Sequence, residues 1–308
     1  MTAHTAKAAT RAPGLPSLLF DLSRGQQALL SMAQPGLAAV LALHGLPALR
    51  TTVIGLVAAW SGFFAVFSLN DVLDREVDAR SLRAGKDDVE GYDIDTTFLR
   101  HPLARGDLTL TVAGAWVLAL GIIAAGAAFV LSPLCLACFA GAVGLEVAYC
   151  GLRSVTWLKT IVSGLMVGLG GLAGWTAVAP LHWPALAVFV FLALWEIGGR
   201  NLANDLADLE SDARVGIRTV ATTFGCPAAA TATAVVAAAT LVATAALPLP
   251  LAAVLLALAL GGWSLGRPAV QILRRPTSAQ AASYFNHASL YPALVLAAEL
   301  LVLAVRGT

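Results

Sequence analysis

Residues 70–80 read NDVLDREVDAR and residues 204–214 read NDLADLESDAR, one acidic cassette written twice. At a constant offset of 134, the copies share Asn, Asp, Asp, Glu, Asp, Ala and Arg, 7 of 11 positions. Each has the form N-x-x-x-D-x-x-x-D. On a helix, a step of four residues returns to nearly the same face one turn further on. The spacing therefore predicts one edge carrying Asn70, Asp74 and Asp78 and another carrying Asn204, Asp208 and Asp212. Carboxylates gathered on an edge repel each other unless a cation sits between them. Hard, oxygen-seeking Mg2+ suits such donors, and Mg2+ held by few carboxylates usually carries a phosphate as well.

The surroundings of the cassettes are greasy. The 308 residues are 58% hydrophobic and 12% charged, with a mean hydropathy of +0.80. That is too apolar for a soluble protein of this size. Apolar runs of membrane-spanning length recur from end to end. Nine are visible, roughly at 27–46, 51–69, 109–131, 133–151, 158–179, 184–202, 227–247, 249–270 and 285–305. Pro133 and Pro184 open the fourth and sixth, where a helix start tolerates proline. Several junctions are short, so neighbouring helices must run antiparallel. The reading is an all-α integral membrane protein, a bundle of nine transmembrane helices. Residues 1–25 have basic and small residues but no apolar run ahead of a cleavage site, and read as a tail with an interfacial segment. Residues 26–308 read as one domain.

Basic residues orient the bundle. With the N-terminus inside, 17 of the 19 Lys and Arg fall on cytoplasmic segments, and Arg50 and Arg306 alone fall outside. This bias predicts a cell (inner) membrane protein with a cytoplasmic N-terminus. Asn70 ends the second span and Asn204 the sixth, and both spans run inward, so both cassettes emerge at one cytoplasmic face. Two cytoplasmic stretches are longer than turns. The first, about 70–107, holds 10 of the 18 acidic residues; the second, about 203–224, holds four. Long loops in a tightly connected bundle are usually functional. Each is expected to begin as a helical extension carrying its cassette and then to fold over the mouth as a cap. The net charge of +1 argues against nucleic-acid binding. Cys135 and Cys138 form a C-x-x-C in apolar surroundings without a second pair, and read as core residues.

Taken together, these motifs resemble those of the UbiA-type superfamily of intramembrane prenyltransferases. The carrying segments are NDVLDREVD at 70–78 and NDLADLESD at 204–212, with HPLARGDLT at 101–109, YCGLR at 149–153 and GIRTVATTFG at 216–225 around them. The layout matches from about residue 20 onward. The resemblance implies a nine-helix bundle with a lateral cavity, a polar cap and Mg2+. It also implies transfer of a prenyl group from a polyprenyl diphosphate, usually to an aromatic acceptor. The lipid bilayer, the diphosphate and a small aromatic or quinone-like acceptor are then the partners.

The residues fit that chemistry. Asp74 and Asp78 would hold one ion and Asp208 and Asp212 another, with Asn70 and Asn204 completing shells without added charge. Arg80, Arg153, Lys159, Arg214 and Arg218 are candidates to grip the diphosphate. Asp71 and Asp205 recur in the cassettes but lie off the i, i+4 edge. Solvation or pairing with neighbouring arginines is preferred for them over metal contact. Tyr149 is read equally as a chamber residue shielding a cation and as a belt tyrosine. Glu196, with Arg200 four residues on, is read equally as half of an internal ion pair and as the acceptor's partner or the terminal base; Arg200 is a possible cavity or acceptor residue beside it. For Glu146 the structural reading is preferred. Two departures from the family stand out: Gly25 follows Arg24 where an Arg-Pro pair is usual, and His101 replaces the arginine before Pro102. The alternatives are a UbiA-type terpene cyclase, which ionises the diphosphate without an acceptor, and a transporter, whose site would lie near the midplane.

Overall fold

The computed structural model describes residues 13–83 and 100–307, and every regular element among them is helical. Lys7, Arg11, Lys86 and the acidic run Asp87, Asp88, Glu90, Asp93 and Asp95 lie outside the described residues. The chain opens with α1 (Leu15–Leu22), α2 (Gly25–Ser31), α3 (Ala33–Leu43) and α4 (Leu49–Arg83). It continues through α5 (Pro102–Arg105), α6 (Leu110–Leu131), α7 (Pro133–Leu152) and α8 (Lys159–Thr176). Next, α9 (Trp183–Leu194) passes through a π-helical stretch at Trp195–Asn201 into α10 (Leu202–Ala207), followed by α11 (Leu209–Val215) and α12 (Val220–Phe224). The remainder is α13 (Cys226–Ala245), α14 (Leu251–Gly261), a second π stretch at Gly262–Gly266, α15 (Arg267–Arg274), α16 (Ser278–Ser289) and α17 (Tyr291–Arg306).

Among the described residues, seven helices are long and apolar enough to cross a membrane: α4, α6, α7, α9–α10, α13, α14–α15 and α16–α17. Their outward faces carry bare apolar side chains such as Leu118, Ile122 and Phe129 on α6, as a hydrocarbon solvent requires. The expected first span is not continuous. It breaks between α2 and α3 because Pro35 has no N–H to return to the carbonyl of Ser31, the last residue of α2. The expected fifth span is α8, which is not among those seven.

Local sequence explains the hairpins. Ser132 alone separates α6 from α7; its side chain accepts from Cys135 N, and Pro133 follows at the first helical position. In α8, a Cβ on Gly168 would sit 2.7 Å from Phe189, one on Gly171 2.4 Å from Leu192, and one on Gly174 2.2 Å from the Pro35 carbonyl oxygen. These glycines let α3 and α9 approach α8 to backbone distance, the usual small-residue packing of membrane helices.

Helix α4 has 35 residues, about 52 Å at 1.5 Å per residue. A bilayer core of about 30 Å uses roughly 20 of them. The remainder, Asn70–Arg83, projects as an extension carrying the first cassette. The second cassette is bent. Helix α10 ends at Ala207, Asp208 takes φ −94° and ψ 9°, and α11 restarts at Leu209. Ser211 Oγ donates to the Asp208 carbonyl (2.9 Å), which also accepts from the Asp212 N–H (2.9 Å). The straight edge expected for Asn204, Asp208 and Asp212 is therefore replaced by a corner at Asp208. Helix α11 packs against α4 and brings the two cassettes to one mouth.

Candidate active site at the mouth of the bundle

A cavity of about 860 Å³ enters the bundle between α3, α4, α7, α8 and the π stretch of residues 195–201. Asn70, Asp71, Asp74 and Asp78 line its mouth together with Asn204, Asp205, Asp208 and Asp212. The remaining wall is mainly apolar, with Ala124, Phe139, Val167 and Leu296. The charge on the wall is unbalanced. Among the described lining residues are nine carboxyl groups against five Lys and Arg. An excess of four carboxyl groups over Lys and Arg along the lining has the donor chemistry that a hard divalent cation needs. The oxygen donors present therefore fit Mg2+.

Each cation on the wall is engaged. A guanidinium N–H of Arg153, at the end of α7, meets Asp74. Arg153 lies outside the spans, and partial desolvation lowers its pKa from the ordinary value; a guanidinium starts so high that it stays charged. Arg24 donates from Nη2 to Asn70 Oδ1 (3.0 Å) and to Asp71 Oδ1 (3.2 Å). Asn70 in turn donates from Nδ2 to Glu146 Oε1 (2.7 Å). Lys159 Nζ donates to Asp205 Oδ1 (2.9 Å) and to Tyr149 Oη (3.2 Å), and lies 4.9 Å from the centroid of the Tyr149 ring. Asn201 Nδ2 also donates to Tyr149 Oη (3.2 Å), while its Oδ1 accepts from Thr160 Oγ1 (2.6 Å). Deeper, Ser163 Oγ donates to Glu196 Oε1 (2.8 Å), and Glu196 Oε2 lies 3.5 Å from Arg200 Nη1. The Arg200 guanidinium sits 5.5 Å from the centroids of both Trp195 and Phe285.

Several sequence expectations change here. Asp71 and Asp205 are not solvated; both are buried, at 3% exposure, and their cationic partners are distant in sequence. Lys159, expected to grip diphosphate, is buried against Asp205. Arg80, Arg214 and Arg218 are exposed and do not line the cavity. Arg214 pairs with Glu210 one turn back (3.4 Å). Arg218 contributes through its backbone, where its N–H donates to the Arg153 carbonyl (2.7 Å) and ties the second cassette's loop to the end of α7. Tyr149, Glu196 and Arg200 all line the chamber, and the last two also form the ion pair. Glu146, read as structural, faces the chamber as the acceptor for Asn70. Sequence reasoning missed Arg24 and His101 as site residues. Their only signals were the two departures from the family pattern. Both take left-handed backbone angles, φ 45° and 52°, and both turn their side chains toward Asp71.

A helical bundle of membrane-spanning apolarity whose paired Asn/Asp cassettes line one largely apolar chamber defines a class of intramembrane protein. The chain belongs to the UbiA prenyltransferase family, whose sequence profile matches residues 30–290. It is 31% identical over 187 residues to a 4-hydroxybenzoate solanesyltransferase of Synechocystis sp., an alignment covering 59% of this chain and 57% of that one. It is 28% identical over 186 residues to a 4-hydroxybenzoate octaprenyltransferase of Hydrogenovibrio crunogenus, covering 60% of each. The matched stretch thus spans only about three-fifths of either curated relative. The fold is that of a UbiA homolog from Aeropyrum pernix K1, with a TM-score of 0.74 at 18% identity over 90% of this chain and 98% of that one. A UbiA homolog from Archaeoglobus fulgidus, solved bound to DMAPP and Mg2+, superposes with a TM-score of 0.67 at 19% identity over 94% of this chain and 100% of that one.

Proposed function

We propose that this chain transfers a prenyl group from an allylic polyprenyl diphosphate to a small aromatic or quinone-like acceptor, with Mg2+ as cofactor, and releases diphosphate. One observation carries the reading: both acidic cassettes line the polar mouth of a cavity whose inner wall is apolar. Asp74 and Asp78 would hold one ion and Asp208 and Asp212 the other, with Asn70 and Asn204 as neutral oxygen donors. Bound there, Mg2+ would neutralise the charge that builds on the departing diphosphate.

The chain's own groups do the rest. Glu146 fixes the Asn70 amide, so that its oxygen turns toward Arg24 and the mouth. Arg153, beside Asp74, adds a positive charge that needs no further ordering. The apolar wall takes the isoprenoid tail and keeps water from an allylic cation. Tyr149 presents a ring to that cation from the chamber wall. Glu196, held by Ser163 and Arg200, would receive the proton that leaves the acceptor carbon. Helices α2–α3 and α8 would complete nine crossings in the cell membrane, with both cassettes cytoplasmic and segments 70–107 and 203–224 capping the mouth.

The test is a product assay. Purified protein is incubated with Mg2+ and farnesyl, geranylgeranyl and longer diphosphates, with and without 4-hydroxybenzoate (the acceptor in the names of the two curated relatives) or a quinol. A prenylated acceptor seen by mass spectrometry is the expected product. Hydrocarbon or terpene alcohol formed without acceptor would replace transfer by cyclisation. Intact diphosphate in every arm would remove the proposal.

A further inference from the structure

We propose that His101 supplies a nitrogen ligand to the metal at the first cassette, so that this mouth prefers Mn2+ to Mg2+. The inference rests on the metal-dependent reading above and goes beyond it in donor type and cation. Asp71 and Asp78 are seven residues apart on α4, two turns on one face. Asp71 gives Oδ1 to Arg24, and its Oδ2 lies 3.9 Å from His101 Nδ1. Asp78 Oδ2 lies 3.2 Å from the same nitrogen, and one donor atom of each of the three residues lies within 4.8 Å of the others. Neighbouring ligands of an octahedral ion with bonds of about 2.1 Å stand about 3 Å apart, and opposite ones about 4.2 Å. The separations seen lie in or near that range.

The imidazole is turned into this gap. His101 Nδ1 is shut off from solvent and makes no hydrogen bond, although Asp78 is within reach. With both carboxylates facing it, this nitrogen can share a cation with them. Two carboxylates and an imidazole suit a first-row transition ion, whereas Mg2+ takes oxygen donors and dehydrates reluctantly. Mn2+, which accepts carboxylates readily, is the ion committed to here.

The experiment uses the purified full chain in detergent with Mn2+, with and without inorganic diphosphate, read by pulsed electron paramagnetic resonance. His101 is the only histidine among the described residues lining the cavity, so imidazole nitrogen coupling to the bound ion reports on it. The expected result is 14N modulation that changes to a 15N signal in protein labelled with 15N-histidine, which requires no variant. His101→Gln loses the signal and weakens Mn2+ binding at least about tenfold, the lower end of what even an outer-shell partner is worth. Mg2+ binding, followed by competition against Mn2+, weakens less. Mn2+ coupled to diphosphate phosphorus but not to nitrogen would overturn the His101 ligand while leaving the metal–diphosphate reading in place. Absence of both couplings would end both.

Discussion

Replacing Lys159 by Met tests whether this cation grips substrate or holds the fold. In the structure Lys159 Nζ lies 2.9 Å from Asp205 Oδ1, and each side chain is 4% exposed. At an effective dielectric of about 20 the Coulomb attraction at that separation is about 6 kcal/mol, before desolvation is charged against it. Lys159→Met leaves Asp205 buried without its counter-charge and removes the donor to Tyr149. Breaking one side of a buried pair typically destabilises by about 3–5 kcal/mol. At roughly 2 °C per kcal/mol for a chain of this size, the melting temperature in detergent should fall by about 6–10 °C. The double variant Lys159→Met/Asp205→Leu removes both charges and should recover most of that loss, because an apolar pair of similar volume is often as stable as the ion pair. The assay is thermal unfolding followed by monodispersity after heating, with KM for the prenyl diphosphate measured alongside. If Lys159→Met kept the wild-type melting temperature while its KM rose tenfold, and the double variant did not restore it, Lys159 would be a substrate ligand and the structural argument wrong.

Three further outcomes follow from the same geometry. Asp74→Asn and Asp208→Asn should each lower kcat on the order of 100-fold or more in the product assay, since each would weaken the hold on the Mg2+ that offsets charge on the leaving group, with little change in melting temperature. Arg80→Ala and Arg218→Ala should change kcat/KM by less than about threefold, because neither guanidinium lines the cavity and exposed charges contribute little. The glycines of α8 should separate by position. Gly170 lines the cavity, and a Cβ there meets nothing within 4 Å, so Gly170→Phe should shift product toward shorter prenyl chains without loss of stability. A Cβ at Gly174 would strike the backbone of Pro35, so Gly174→Ala should destabilise by about 1–3 kcal/mol, seen as a lowered melting temperature.

The repeat at 70–80 and 204–214 and the apolar runs made the class of fold legible from the sequence, because periodicity and hydropathy are properties of consecutive residues. The same local rules carried the helix start at Pro133 and the unbroken run of α4 through the first cassette. They failed where a single residue interrupts a ladder, at Pro35 and Asp208, since period arguments assume an unbroken helix. They also could not sort the cations. Lys159 and Arg153 look alike in sequence, yet one is buried on Asp205 and the other stands at the rim by Asp74.

What the sequence determined by itself was a helical membrane protein carrying two acidic cassettes, because hydropathy and repeats are written along one chain. Only the tertiary structure decided which carboxylates keep a cation of their own, which glycines of α8 are open to the chamber, and that Arg24 and His101 converge on Asp71. Those are contacts between segments tens of residues apart. They depend on how the helices pack around the cavity, and no local pattern encodes that distance.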